Sequence, residues 1–315
     1  MSPYGDKRLK IFAGNANRDL AQEICDYLGV SPGKILVTQF SNGESRVTIN
    51  ENVRGSDVFV VQSTCSPVND NLVELLVIID ALRRASADRI TAVIPFYGYA
   101  RQDRKTKGRE PITAKLVANL LTTAGVDRIL TVDLHAGQIQ GFFDIPLDHL
   151  TAIKLLADHL KTRDLTDHVV VSPDAGSIPR ARDMAERLNL PVAFIDKRRP
   201  EPNVAEVMNI VGKVAGCHVI LLDDMIDTGG SILQGAKALR NAGALSVKVC
   251  ASHGVFSGQA RENMQEADLE ELIVTNTIPL REDLKPLVKV LSVASVLGDA
   301  IVRIHEGRSI SEMFR

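Results

Sequence analysis

The chain predicts an α/β fold of two domains, each a mostly parallel sheet flanked by helices. Three observations carry this. Short β-branched runs, apolar on both sides, recur along the sequence, as expected of strands covered on both faces. Helical patterns separate them, so strand and helix alternate as in right-handed βαβ units. A length of 315 residues is long for one core and natural for two domains.

The expected strands are 35–37, 58–61, 90–94, 129–132, 169–171, 192–195, 219–222, 247–251, 273–274 and 288–293. Leu72, Leu75, Leu76, Ile79 and Leu82 fall on one helical face. Leu116, Val117, Leu120 and Leu121 form another. The loop 141–148 contains Pro146 and places the boundary near Leu150. That gives an N-terminal domain over 1–149 and a C-terminal domain over 150–315, the second opening on a helix over 151–161. No flexible linker, low-complexity segment or convincing internal repeat is visible. The dense charge run is 101–109.

Hydrophobic residues make up 45% and charged residues 24%, which is ordinary for a globular chain. The net charge of −2 supplies no global basic field for nucleic acid, so any anion site must be local. Cys25, Cys65, Cys217 and Cys250 lie in or beside apolar stretches with no C-x-x-C spacing, which suits reduced, packed thiols. The N-terminus lacks an apolar signal core. The longest apolar stretch, 72–82, is interrupted by Glu74 and Asp80 and is too short to span a bilayer. The expected location is the cytoplasm.

The strongest chemical signal is at 223–231. A strand runs into Asp223, Asp224 and Asp227, then Thr228, Gly229, Gly230 and Ser231, and a helix comes next with Ile232, Leu233, Ala236 and Leu239 on its apolar face. Glycines at a strand-to-helix turn let backbone approach a ligand closely. Several N–H groups and the positive helix end then favour a phosphate, with the hydroxyls of Thr228 and Ser231 beside them. The aspartates oppose that role. A carboxylate 4 Å from another anion is repelled by about 1 kcal/mol in water and about 4 kcal/mol at an effective dielectric of 20. They therefore require other partners, either sugar hydroxyls or a magnesium ion. Phosphate on one side and a polyol on the other describes a phosphorylated sugar. The plainer alternative is a helix cap with turn-forming aspartates. Neither G-x-x-x-x-G-K-[ST] nor G-x-G-x-x-G occurs, which argues against a P-loop kinase and a Rossmann dehydrogenase.

The segment 223–231 resembles the phosphoribosyl-diphosphate motif shared by type I phosphoribosyltransferases and ribose-phosphate pyrophosphokinases. That motif does not separate users of the diphosphate from its makers. Four further segments resemble the pyrophosphokinases specifically, and the resemblance runs from about Leu9 to the C-terminus. It implies two phosphoribosyltransferase-like domains and the conversion of ATP and ribose 5-phosphate to AMP and 5-phosphoribosyl diphosphate.

Two of these segments imply an ATP site that meets across a subunit boundary. The first is Phe40-Ser41-Asn42-Gly43-Glu44, with an aromatic ring able to stack on a base. The second contains Arg101, Gln102 and Asp103, where a guanidinium fork suits phosphate and an amide can read an adenine edge. Taken singly, Phe40 could be an ordinary core ring and the arginines a solvated face. The third segment carries His135, which the resemblance places near the magnesium–nucleotide complex; Asp174, in Ser172-Pro173-Asp174-Ala175-Gly176, matches a magnesium ligand. A hard cation prefers oxygen ligands, so solvent and carboxylates would complete the shell. The fourth is Asp196-Lys197-Arg198-Arg199-Pro200, read as a loop because of Pro200 and Pro202. The resemblance assigns catalysis to Lys197 and Arg199. It gives the ribose 5-phosphate site Arg199, Asp223, Asp224, Asp227, Thr228, Gly229, Gly230 and Ser231.

The resemblance further implies rings of six built from dimers, and inorganic phosphate and ADP as effectors between subunits. Arg54, Arg109, Ser309 and Ser311, with Phe314, match parts of that effector site. Several positions depart from the family pattern. Ser231 replaces a usual Thr, Asn42 a frequent Asp, Asn52 a Ser, and Ser177-Ile178-Pro179 a small-residue stretch. Two alternatives remain at this point. A type I phosphoribosyltransferase would leave the first half without a purpose, and a non-catalytic associated subunit would be expected to lose the loop cations retained here.

Overall fold

The computed structural model describes residues 8–198 and 207–314. The chain divides into two compact units. One holds residues up to Thr151, then Thr277–Pro279 and the stretch from Ser292; the other holds Ala152–Asn276 and Leu280–Leu291.

In the first unit the order is β1 (Leu9–Ala13), α1 (Arg18–Leu28), β2 (Ile35–Gln39), β3 (Ser45–Ile49), β4 (Asp57–Val61), α2 (Val68–Arg84), β5 (Arg89–Ile94), α3 (Thr113–Ala124), β6 (Arg128–Val132) and β7 (Leu147–Leu150). Five strands form one parallel sheet in the order β1-β4-β5-β6-β7. Val58, Val60, Ala92, Ile94 and Ile129 join Leu75, Ile79 and Leu82 of α2 and Val117 and Leu121 of α3 in one core. The alternate residues Phe59, Val61, Val93 and Leu130 are also buried, so both faces of the sheet are covered.

The second unit runs α4 (Ile153–Leu160), β8 (His168–Ser172), α5 (Ile178–Leu188), β9 (Val192–Arg198), β10 (Val207–Val211), β11 (His218–Ile226), α6 (Gly230–Asn241), β12 (Ser246–Gly254), α7 (Ala260–Glu266), β13 (Glu271–Thr275) and β14 (Lys289–Leu291). Its seven strands are ordered β10-β9-β8-β11-β12-β13-β14, and only β10 is antiparallel to its neighbour. Period-two alternation divides the strands cleanly. Val169, Val171, Val219, Leu221, Val247 and Val249 face α6 and α7. Val170, Ile220, Leu222 and Cys250 face α4 and α5. Each fully buried Leu, Ile or Val contributes about 1.5–3 kcal/mol. The last helix, α8 (Ala294–His305), returns to the first unit and packs on α1.

The mixed α/β class is as expected, with differences that have physical reasons. β2 belongs to no core sheet: it pairs with β3 in a separate antiparallel ribbon, whose Ile35, Val37, Val47 and Ile49 pack on the first unit's core. β1, β3, β7 and β10 are not among the expected strands, because polar residues interrupt their apolar runs. The loop expected over 141–148 contains the end of a 3₁₀ turn, Gly137–Phe142, and the start of β7. The loop expected from Asp196 is strand through Arg198, where β10 supplies an antiparallel partner, with Asp196 opposite Asn209. Leu116 and Leu120, assigned to the buried face of α3, are 54% and 40% exposed; Val117 and Leu121 are the core positions. A C-terminal domain running unbroken from 150 to 315 does not describe the chain, because Ser292 onward completes the first unit. Among the described residues, no helix is long and apolar enough to cross a membrane.

Close approach of α1 and α8 depends on Gly298. A Cβ there would lie 2.6 Å from the Tyr27 ring, whose hydroxyl donates to Asp299 at 2.8 Å. Gly298→Val is expected to force the pair apart and cost about 1–3 kcal/mol, read as a lower urea midpoint with unchanged slope.

Candidate functional site

β11 is the middle of the second unit's sheet, hydrogen-bonded to β8 on one side and β12 on the other. Its apolar start is fixed in both faces of the core, so its acidic end is held rigidly. Asp223 and Asp224 lie in the strand, and Asp227 and Thr228 come next in the turn into α6.

Asp224 is buried, while Asp223 retains some surface. The Asp223 carboxylate accepts the Asp224 N–H at 2.9 Å, and the Ser177 hydroxyl lies 3.5 Å away. Burial, with the Asp224 charge next and the Asp174 charge contributing, pushes the Asp223 carboxyl up to about 8. This is a cluster of hydrogen-bond acceptors whose like charges raise one another's proton affinity. It suits hydroxyl donors or a hard cation. Asp174 sits just beyond β8, exposed, and accepts the Ser177 N–H at 2.9 Å. Its backbone carbonyl accepts the Ser172 hydroxyl at 2.7 Å. The expected small-residue stretch is instead Ser177 and the first turn of α5, with Pro179 inside it, where its missing N–H is harmless.

The turn after β11 is built for close approach. Gly229 has φ +77°, and a Cβ there would meet Met264 Cε at 2.6 Å. The N-cap of α6 is Gly229, which has no side chain to cap the first turn, and the exposed Thr228 and Ser231 stand beside the helix start. The loop is held from outside: Ser257 donates to the Asp227 carboxylate, the Ser257 N–H reaches the Asp227 carbonyl at 3.1 Å, and Asn263 Nδ2 donates to the Thr228 carbonyl at 2.8 Å. Ser257 and Asn263 escape sequence reasoning. They are ordinary residues far along the chain from the loop they hold, and no spacing marks them.

The first unit carries the residues expected to bind nucleotide and effectors. Phe40, Asn42, Gly43 and Glu44 form the tip of the β2–β3 ribbon. The tip is closed by Phe40 N–H to the Glu44 carbonyl at 2.8 Å, with Gly43 at φ +90°. Phe40 is 50% exposed, and Arg46 lies over its ring at 5.7 Å. The core reading of Phe40 is therefore excluded. Arg101 and Gln102 are exposed beyond β5, and Asp103 accepts from Gln138 at 2.8 Å. Gln102 is fixed by its N–H to the Tyr99 carbonyl at 2.9 Å, and its side-chain oxygen accepts the Thr113 hydroxyl. His135 is exposed after β6, two residues past the buried Asp133, which accepts from Thr151 at 2.9 Å. Arg54 and Arg109 are exposed, as is Ser309, whose carbonyl accepts from Arg303 at 2.8 Å. Ser311 opens the last 3₁₀ turn.

The Lys197 backbone lies near the end of β9, and Arg199 lies outside the described residues. Among the described residues, no three His, Cys, Asp or Glu side chains gather as a self-sufficient metal site. His135 is in one unit and Asp174 in the other.

Residues 9–125 match the family model of the N-terminal domain of ribose phosphate pyrophosphokinase, and residues 197–315 match that of the phosphoribosyl synthetase-associated domain. Ribose-phosphate pyrophosphokinase 1 of Listeria monocytogenes is 58% identical over 314 residues, 99% of this chain and 98% of that protein. The chain belongs to the ribose-phosphate pyrophosphokinase family. Another member, from Bacillus caldolyticus, is 56% identical over 309 residues, 98% of each chain. The crystal structure of phosphoribosylpyrophosphate synthetase from Mycobacterium smegmatis superposes with a TM-score of 0.91 at 48% identity, covering 95% of this chain and 99% of that one. At the end of β11 the start of α6 and its glycine turn stand beside the acidic cluster of Asp223 and Asp224.

The acidic cluster has a measurable consequence. Asp223 binds its proton more tightly in the folded chain than at its ordinary value of 3.8, so it opposes folding increasingly as pH rises from about 4 towards about 8. Asp223→Asn is expected to raise the melting temperature of ligand-free protein at pH 8 and to flatten its fall between pH 5 and 8, measured by calorimetry.

Proposed function

We propose that this chain transfers the β,γ-diphosphoryl group of Mg-ATP to the C1 hydroxyl of ribose 5-phosphate. The products are 5-phospho-α-D-ribose 1-diphosphate and AMP, and the role is in nucleotide biosynthesis. The observation that carries this reading is the cradle on β11 within a chain 58% identical, end to end, to a ribose-phosphate pyrophosphokinase. The cradle alone would equally suit an enzyme that consumes the diphosphate.

The residues divide the work by chemistry. The N–H groups and hydroxyls of Thr228, Gly229, Gly230 and Ser231, with Asp227 and Arg199, hold the 5-phosphate and set its position. Asp223 and Asp224 accept hydrogen bonds from ribose hydroxyls and so fix the sugar's orientation. Phe40 stacks on the base, and Asn42, Gly43, Glu44, Arg101, Gln102 and Asp103 grip the rest of ATP. Phe40's half-exposed ring and the pinned Gln102 support that division. Mg²⁺, held by His135, Asp174 and nucleotide oxygens, would neutralise charge on the transferring group. Asp174's exposure and the acceptor-rich cluster beside it fit such an ion. Lys197 and Arg199 stabilise the negative charge that develops during transfer.

The same reading makes the chain a cytoplasmic homohexamer built of dimers. Inorganic phosphate and ADP act as effectors at Arg54, Arg109, Ser309 and Ser311. Exposure of these four residues is compatible with that role.

AMP formation from ATP is expected to depend on both ribose 5-phosphate and Mg²⁺; product chromatography showing no AMP, with a competent control enzyme alongside, would sink the reading. Lys197→Ala is expected to lower kcat by about 10²–10³ while ribose 5-phosphate affinity holds. Equal loss of binding in an isothermal titration would remove its transition-state role.

A further inference from the structure

A partly buried charge cluster outside the site ties together two turns of the first unit. Asp57 opens β4 and Arg89 opens β5, and the two are register partners across the sheet. Arg89 forks onto Asp57, with Nε to Oδ1 at 2.8 Å and Nη2 to Oδ2. His305, the last residue of α8, places Nδ1 2.7 Å from the same Oδ2. Asp57 accepts, so Nδ1 carries the proton. Arg89 Nη2 also donates to the Ile304 carbonyl at 2.9 Å. One carboxylate, 8% exposed, thus fastens the end of the C-terminal helix to the start of two central strands.

The chain on either side of this clamp is tied down by hydrogen bonds. Beyond His305, Gly307 takes φ +69°, the Arg308 N–H returns to the Arg303 carbonyl at 2.7 Å, and the Gly307 N–H reaches the Ile304 carbonyl at 3.3 Å. This double closure turns the chain sharply off the helix. Arg303 then holds the C-terminal tail, donating to the Ser309 carbonyl and to Glu312, each at 2.8 Å. Before Asp57, the turn is fixed by the Arg54 N–H to Asn52 Oδ1 at 3.0 Å, by Gly55 at φ +65°, and by Arg8 donating to the Gly55 carbonyl at 3.1–3.2 Å.

Arg54 is three residues before Asp57, and Ser309 is four after His305. Even fully extended, those segments reach at most about 11 Å and about 14 Å from the clamp. We propose that the Asp57–Arg89–His305 clamp is the positioning device of the effector site, setting where Arg54 and Ser309 stand relative to one another. This rests on the effector reading given above. The clamp residues need not touch the effector; they act by holding the two segments that do. Losing the tie lets the tail move as a unit, so effector affinity falls while the catalytic groups of the second unit are untouched.

The test uses the full-length assembled enzyme, His305→Ala, and His305→Asn, whose amide can replace the Nδ1 donor. Inorganic phosphate is titrated against initial rate, and amide hydrogen exchange is measured over 306–313. His305→Ala is expected to speed exchange there and to raise the phosphate concentration for half-activation about five-fold or more. KM for both substrates and kcat at saturating phosphate should stay at parent values, and His305→Asn should recover most of both effects. Unchanged exchange in His305→Ala would overturn the clamp itself. Faster exchange with an unmoved phosphate curve would overturn its positioning role while leaving the effector reading intact. A parent enzyme indifferent to phosphate would overturn the effector reading, and this inference with it.

Discussion

Like charges gathered at the end of β11 impose the conditions that the surrounding structure must meet. Asp223 and Asp224 leave a strand covered on both faces, and Asp174 approaches from the neighbouring strand β8. Such a cluster costs stability unless something positive or proton-donating is bound. Only a rigid frame keeps the carboxylates together instead of letting them swing apart into water. The frame is the pair of cores on the two faces of β11, where Val219 and Leu221 face one way and Ile220 and Leu222 the other. Burial of ordinary apolar residues therefore sustains an electrostatic arrangement that would not persist alone.

The opposite sign appears a few residues later. The start of α6 offers backbone N–H groups and the positive end of the helix dipole, with a glycine at its N-cap. A ligand must present an anion to the helix and donors to the strand end. A bare phosphate satisfies only the first, and a neutral sugar only the second. Gly229 sets the distance between the two halves of this requirement. Its positive φ makes the turn tight and disfavours any other residue there, and a Cβ would have to displace the tip of Met264.

Legibility in the sequence depends on contiguity and polarity. β8, β11 and β12 are visible because both of their faces are apolar. β7 is not: its Leu-Asp-His-Leu reads as loop, and only the fold supplies Arg128 for Asp148 and the Leu134 N–H for His149. β10 and the end of β9 hide behind cations and prolines, since an edge pair tolerates residues that a central strand does not. The return of α8 to the first unit has no local signal, because chain order carries no information about which core an amphipathic helix will join. The phosphate turn reads nearly whole, since strand, glycines and helix are consecutive. Its supports, Ser257 and Asn263, come from other elements and are invisible.

The two units also differ in how their chemistry is distributed. In the second, one backbone turn carries the whole cradle. In the first, Phe40, Arg101–Asp103 and His135 stand on three separate connections, after β2, β5 and β6. Under the proposed function this asymmetry arises from ligand shape. A terminal phosphate is small and nearly symmetric, so N–H groups from one turn can enclose it. A nucleotide extends over a base, a sugar and a charged chain, each wanting a different partner: a ring face, a polar edge, a guanidinium. No single turn can present all three, so the sequence signal is divided into fragments that each have an ordinary structural explanation. Under the proposed function the turn on β11 is legible alone because the phosphate it would hold is compact, and for the same reason it says least about which reaction a phosphorylated sugar undergoes there.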